Sequence, residues 1–126
     1  MKKIINSSKA PSPIGPYNHA VQVGDLLFIS GQIPFDQATE TLIDSGIADE
    51  TKQVMENLKA ILSEVGMTFE NAVKATIFIR DMEQFSIINE VYGSYFKQET
   101  APARECVQVS KLPRNVNVEI SMIASK

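Results

Sequence analysis

Between Val116 and Ala124 every second residue is apolar, Val116, Val118, Ile120 and Met122 alternating with Asn117, Glu119 and Ser121. Strand side chains point to alternate faces, so this stretch reads as a strand with one dry and one polar face. A dry face has to be covered, and the chain offers two covers. In residues 49–65 the apolar positions Val54, Leu58, Ile61, Leu62 and Val65 recur at helical spacing, and Gly66 follows as a stop. Asp81 can cap a second helix whose apolar side carries Phe85, Ile88, Tyr92, Tyr95 and Phe96.

The other strands follow from composition and turn chemistry. Residues 19–23 and 26–30 flank Gly24-Asp25, a two-residue hairpin signal. Residues 73–80 are β-branched and aromatic, and 105–110 precede a connection through Leu112-Pro113 to the last strand. Residues 3–6 leave room for one more short strand. Residues 7–18 hold three of the six prolines and read as a stiff irregular segment, and a loop is expected from Pro34 to about Ile47. The order ββ-α-β-α-ββ predicts an α+β fold, a β-sheet with two helices packed on one face. At 126 residues the expectation is a single domain, 1–126, burying roughly two-thirds of its unfolded surface.

Charge narrows the function. Twelve basic residues are outnumbered by 15 acidic ones, for a net charge of −3, and no basic stripe stands out, which argues against a nucleic-acid partner. One cysteine, Cys106, allows no internal disulfide, and with one histidine, His19, a transition-metal site is not expected. No apolar run approaches the roughly 20 residues of a membrane span, and the N-terminus lacks a signal-peptide pattern, so a cytoplasmic location is expected. His19 has no neighbouring nucleophile and reads as a surface or interface residue.

Parity suggests where chemistry sits. If Val107 and Val109 join the dry face, Arg104, Cys106, Gln108 and Ser110 take the polar one. Closing the last two strands as a hairpin, with Ser110 opposite Asn115, then sets Cys106 across from Glu119 and brings Arg104 alongside. An arginine there can grip a carboxylate, and a glutamate can serve as a base for water. The plainer reading, a structural ion pair with a cysteine as core filler, stays open.

Pro102-Ala103-Arg104-Glu105-Cys106-Val107, Leu112-Pro113 and Val118-Glu119-Ile120 resemble the C-terminal pattern of the RidA (YjgF-type) family. Gly15-Pro16-Tyr17, Ser30-Gly31-Gln32-Ile33-Pro34 and Asn89-Glu90-Val91-Tyr92 resemble its other recurrent blocks, in matching order. The resemblance implies a chorismate-mutase-like fold, a homotrimer with sites in the clefts between subunits, and no cofactor. It implies a 2-iminobutanoate/2-iminopropanoate deaminase, hydrolysing 2-aminoacrylate and 2-aminocrotonate, the products of pyridoxal-phosphate dehydratases, to 2-oxo acids and ammonia. It makes Arg104 the carboxylate grip, Glu119 the residue that activates water, and Tyr17 a border of the pocket, completed by Ser30, Gly31, Asn89 and Cys106. Glu105, where a small residue is common, and Gln108, where glutamate is common, depart from the pattern. A non-catalytic ligand-binding regulator of the same fold, acting in purine regulation or translation inhibition, is the alternative that the resemblance leaves open.

Overall fold

The computed structural model describes all 126 residues. Strands β1 (Lys3–Ile5), β2 (Ala20–Val23), β3 (Leu26–Gln32), β6 (Ala72–Ile79), β7 (Ala103–Gln108) and β8 (Val118–Ser125) form one sheet in the order β1-β2-β3-β8-β6-β7. Helices α1 (Ile47–Ser63) and α2 (Phe85–Gly93) cover one face. The fold is α+β, a mixed six-stranded sheet with two helices, as the sequence predicts.

Local chemistry accounts for most boundaries. Gly24, at φ 58°, makes the β2–β3 turn. Past α1, Gly66 at φ 72° accepts the left-handed conformation, its N–H reaching Ser63 O while Met67 N–H reaches Leu62 O. That paired 5→2 and 6→1 pattern closes the helix end. Asp81 accepts from Glu83 N and caps a short 3-10 turn, Met82–Gln84, that leads into α2. The expected loop after Pro34 contains a small hairpin instead, β4 (Phe35–Asp36) with β5 (Thr41–Leu42). Two-residue strands carry no periodicity to read.

The last two strands correct the sequence reading. They do not pair with each other: β6 lies between them, parallel to β7 and antiparallel to β8. The cause was visible in the chain. A helix stands between β6 and β7, and a strand–helix–strand passage is the connection that parallel neighbours require, whereas residues 109–117 are too long for a tight hairpin. Cys106 therefore pairs with Ile77, which pairs with Ile120, and Arg104 with Ala75, which pairs with Met122. All of these side chains lie on the helix-covered face. Glu119 aligns with Phe78 and Val107 on the opposite face. Val107, expected in the core, is 41% exposed.

The core lies between sheet and helices, where Val54, Leu58, Ile61, Leu62, Ile77, Ile79, Val118 and Ile120 are fully buried. Truncating one of these leucines or isoleucines to alanine should cost about 2–5 kcal/mol. No helix covers the other face. It carries Ile4, Val23, Leu26, Phe28 and Val107 partly exposed, around a polar island in which Glu105 bridges Lys74 Nζ at 3.1 Å and accepts from Thr76 Oγ1. Glu105 points away from Arg104, as parity suggests.

Candidate active site

The predicted residues fall into two groups, one on each face of the sheet. The first is built by α2 against the edge strand β7. Arg104 Nη1 donates to Asn89 Oδ1 at 2.6 Å, and the guanidinium stacks 5.1 Å from the ring centre of Tyr92 and 5.6 Å from that of Phe85. Asn89 and Tyr92 sit three residues apart on α2, so one helix face supplies both the hydrogen bond and a ring. Stacking holds the guanidinium plane without neutralising it. The one ion pair of the chain is Lys74–Glu105, so Arg104 keeps its charge for a ligand. Arg104, Asn89, Tyr92, Gln98 and Pro102 line a cleft of about 450 Å³.

Cys106 follows on the same face, half-buried against the core. Burial pushes its thiol pKa up, and the nearby Arg104 offsets only part of that. Tyr92, also below Arg104, has its phenol pushed up to about 12 by burial, and its hydroxyl has no hydrogen-bond partner. Gln108 leaves the sheet at its end, where its side chain accepts from Met82 N at 2.8 Å.

The second group surrounds a break in the β3–β8 ladder. Pairing is regular as far as Ile29 with Met122, shifts, and resumes at Gln32 with Ile120, leaving Ser30 and Gly31 in the irregularity. The Glu119 side chain lies across Gly31. A Cβ at position 31 would stand 2.5 Å from Glu119 Oε2 and 2.8 Å from Cδ, so only glycine admits the carboxylate here. Gly31 is needed for this close approach and not for an unusual φ. Glu119 has no hydrogen-bond or ion-pair partner in the chain, and burial raises its pKa.

Ser30 ties this irregularity to the proline-rich segment, its Oγ donating to Asn18 O at 2.7 Å and its N–H to His19 O at 2.8 Å. His19 is a second correction, for it is 2% exposed and structural. Its Nδ1 accepts from Ser7 N at 2.9 Å and its Nε2 bonds Pro11 O, which fixes the neutral tautomer with the proton on Nε2. The ring clamps the segment that carries Tyr17, a half-exposed residue whose hydroxyl accepts from Ile14 N at 3.4 Å. Two bonds from backbone groups eight and twelve residues upstream leave no pattern in the sequence, which is why the clamp was not legible there.

Tyr17 and Gly31 line a cleft of about 250 Å³ together with Arg114, a residue that the sequence reading did not single out. Its signal would have been the turn after Leu112-Pro113, close in sequence to Glu119. Arg104 and Cys106 do not join this group within one chain. No cluster of three or more His, Cys, Asp or Glu side chains could hold a metal ion, and no helix is long and apolar enough to cross a membrane.

One half thus offers an unpaired, planar cation. The other offers an unpaired carboxylate of raised pKa against bare backbone. A family described as Endoribonuclease L-PSP matches residues 7–126. A mouse protein named 2-iminobutanoate/2-iminopropanoate deaminase is 44% identical, over 98% of this chain and 91% of its own length. Among solved structures, a Thermotoga maritima protein is 48% identical with a TM-score of 0.96, covering 100% of this chain and 98% of that one. The structure of RidA from an Antarctic Psychrobacter is 37% identical with a TM-score of 0.93, covering 98% and 99%. The chain belongs to the RidA/YjgF/L-PSP family.

Proposed function

We propose that this protein hydrolyses 2-imino acids and their enamine tautomers to 2-oxo acids and ammonia, at a site assembled between copies of the chain in a homotrimer. The observation that carries the reading is a pair of groups without a charge partner: Arg104, stacked and free of any carboxylate, and Glu119, a half-buried carboxylate without a partner. The first suits the acid group of the substrate and the second a water molecule. The mouse relative is named for this activity. The two groups face opposite sides of one sheet, so a single chain cannot present both to one small molecule. The uncovered apolar face supports burial against further copies, which would bring the Arg104 edge of one to the Gly31–Glu119 irregularity of the next.

The chemistry needs positioning and proton transfer. Arg104 holds the carboxylate of the imine, its fork kept in plane by Asn89 and the two rings. Glu119 takes a proton from water as its oxygen attacks C2 and passes that proton to the imine nitrogen, giving a carbinolamine. The carbinolamine then collapses: Glu119 takes the hydroxyl proton as the C2–O bond becomes a carbonyl and delivers it to the nitrogen, the C2–N bond breaks, and ammonia leaves. Tyr17 borders the pocket, and Ser30 and Gly31 shape its floor. Cys106 has no covalent part. A carboxylate base is worth roughly 10²–10⁴-fold, and fixing water and imine together accounts for more.

The decisive experiment couples a threonine dehydratase to this protein and follows the transient enamine absorbance against 2-oxobutanoate formation. Accelerated decay in proportion to added protein is expected. Unchanged decay with measurable binding of 2-oxobutanoate would leave a ligand-binding regulator as the better account. The matching family's description names an endoribonuclease, but 12 basic residues against 15 acidic ones weigh against a polyanionic substrate.

A further inference from the structure

Beside Gly31 the chain holds more than the small 2-imino acids require. The cleft of about 250 Å³ is lined by Ile14, Tyr17, Gly31, Phe35, Glu40 and Arg114, a mixed wall far larger than a methyl or ethyl side chain needs. Arg114 is the one lysine or arginine of the lining, and it forms no ion pair. Its guanidinium stacks 5.2 Å from the centre of the Phe35 ring, which fixes its plane.

The backbone beneath it is unusual. Arg114 sits at φ 56°, ψ 22° and Asn115 at φ 60°, both left-handed. Asparagine tolerates that region, but for an arginine it stores strain, and such residues concentrate where a side chain must be aimed. Arg80 Nη1 holds the turn by donating to Asn115 O at 3.3 Å. Neither the stack nor the strain is needed to close a surface turn, for which glycine would be easier.

We infer that this cleft is a side-chain subsite in which Arg114 binds a second carboxylate, so that the protein accepts 2-imino dicarboxylic acids as well as monocarboxylic ones. The inference rests on the deaminase reading, in which Gly31 and Glu119 flank the reacting carbon and Arg104 takes the first carboxylate. Gly31 lines this cleft and also borders Glu119, so a side chain leaving that carbon past Gly31 has the cleft and the stacked fork of Arg114 before it. Glu40 stands at the tip of the β4–β5 hairpin, exposed, so water and salt screen its repulsion. It tempers the preference without reversing it.

The test measures binding and turnover separately. Calorimetry with 2-oxoglutarate and 2-oxobutanoate probes the subsite whether or not the protein is a deaminase, and imines made from glutamate and 2-aminobutyrate by an amino-acid oxidase probe turnover. The wild type should bind 2-oxoglutarate roughly tenfold more tightly than 2-oxobutanoate. Arg114→Gln should erase that ratio, since a hydrogen-bonded charge contact is worth roughly that factor or more, and Arg114→Lys should restore only part of it. Arg114→Gly should raise Tm by about 2–4 °C by relieving the left-handed strain while still losing the dicarboxylate preference. Equal affinities in the wild type, no binding of either acid, or equal losses for both acids in Arg114→Gln would overturn the subsite. Failure of the deaminase reading looks different: neither imine is hydrolysed, yet the binding ratio and its dependence on Arg114 remain.

Discussion

The two halves of the candidate site are held ready in different ways. Around Arg104 the fold uses packing: one helix, α2, supplies two rings and an amide that confine a guanidinium from the neighbouring strand. Around Glu119 it uses a gap. The ladder slips at Ser30–Gly31, and a missing Cβ lets a carboxylate lie on the backbone with no partner. The first half is tolerant, because several contacts share the task of orientation. The second depends on a single hydrogen atom where any other residue would place carbon. That difference forecasts which positions accept change. On the proposed mechanism neither half is a site alone, since a cation without a base would bind but not hydrolyse.

The sharpest way to break this comparison is to divide the halves between chains. Arg104→Ala and Glu119→Gln should each lower enamine hydrolysis by roughly a hundredfold or more. Co-expressed in equal amounts, the two variants should recover about a quarter of wild-type activity, the fraction of between-subunit sites that draw both intact residues at random in a symmetric ring. If both halves of a site came from one chain, no mixed assembly would contain an intact site, and the mixture would stay as inactive as its parents. Activity counted per site, with assembly checked by light scattering, separates these outcomes.

A smaller effect sharpens the second half. In Gly31→Ala the added carbon meets Glu119 Oε2, and the carboxylate must move by more than a few tenths of an ångström. The sheet should survive, since the position lies outside regular pairing, but misplacing the base should cost about tenfold to a hundredfold in kcat. The pH profile identifies the group. Burial raises the pKa of Glu119, so its active, ionised form appears at higher pH than for an ordinary glutamate. The rate should therefore rise with pH through that raised value, and Glu119→Gln should abolish the rise. For stability the sign is opposite. A carboxyl group whose folded pKa is raised stabilises the native state most below its unfolded pKa, and that contribution is lost as pH rises through the folded value. Glu119→Gln should thus have a higher Tm than wild type at neutral pH and a similar one in acid. An acidic limb that persists in the glutamine variant would remove Glu119 as the base.

How much of this the sequence carried depends on how local the signal is. The β2–β3 hairpin, the two helices and the dry face of β8 were legible because periodicity and turn residues act within a few positions. Which strand neighbours which is not local, and there the helix between β6 and β7 was the overlooked clue: it required a parallel crossover and so moved Arg104 and Cys106 to the face opposite Glu119. Arg104, Glu119, Tyr17, Ser30, Gly31, Asn89 and Cys106 could be named from motif blocks, but not their division into two groups. The clamp by His19 and the placement of Arg114 depend on loops whose path no pattern encodes.

The smallest expected effect concerns Cys106, which the proposed mechanism leaves without a covalent part. Parity placed the thiol on the polar face beside Glu119, but the sheet places it on the helix side, paired with Ile77 and half-buried against the core. In that setting burial keeps the thiol protonated, and Arg104 on the same strand offsets only part of the shift. A nucleophilic cysteine needs the reverse, an electropositive and hydrated site that lowers its pKa. Cys106→Ser changes size little and replaces a soft apolar group with a hydroxyl, at a stability cost of about 1 kcal/mol. If the attacking group is water activated by Glu119, kcat should stay within about tenfold of wild type, with Arg104 still stacked and 2-oxobutanoate still bound. An inactive, well-folded serine variant would reverse the assignment and make the thiol the nucleophile. In that event the imine carbon would have to meet β7 from its helix side, away from Glu119, and a mass increment trapped on Cys106 during turnover would show it.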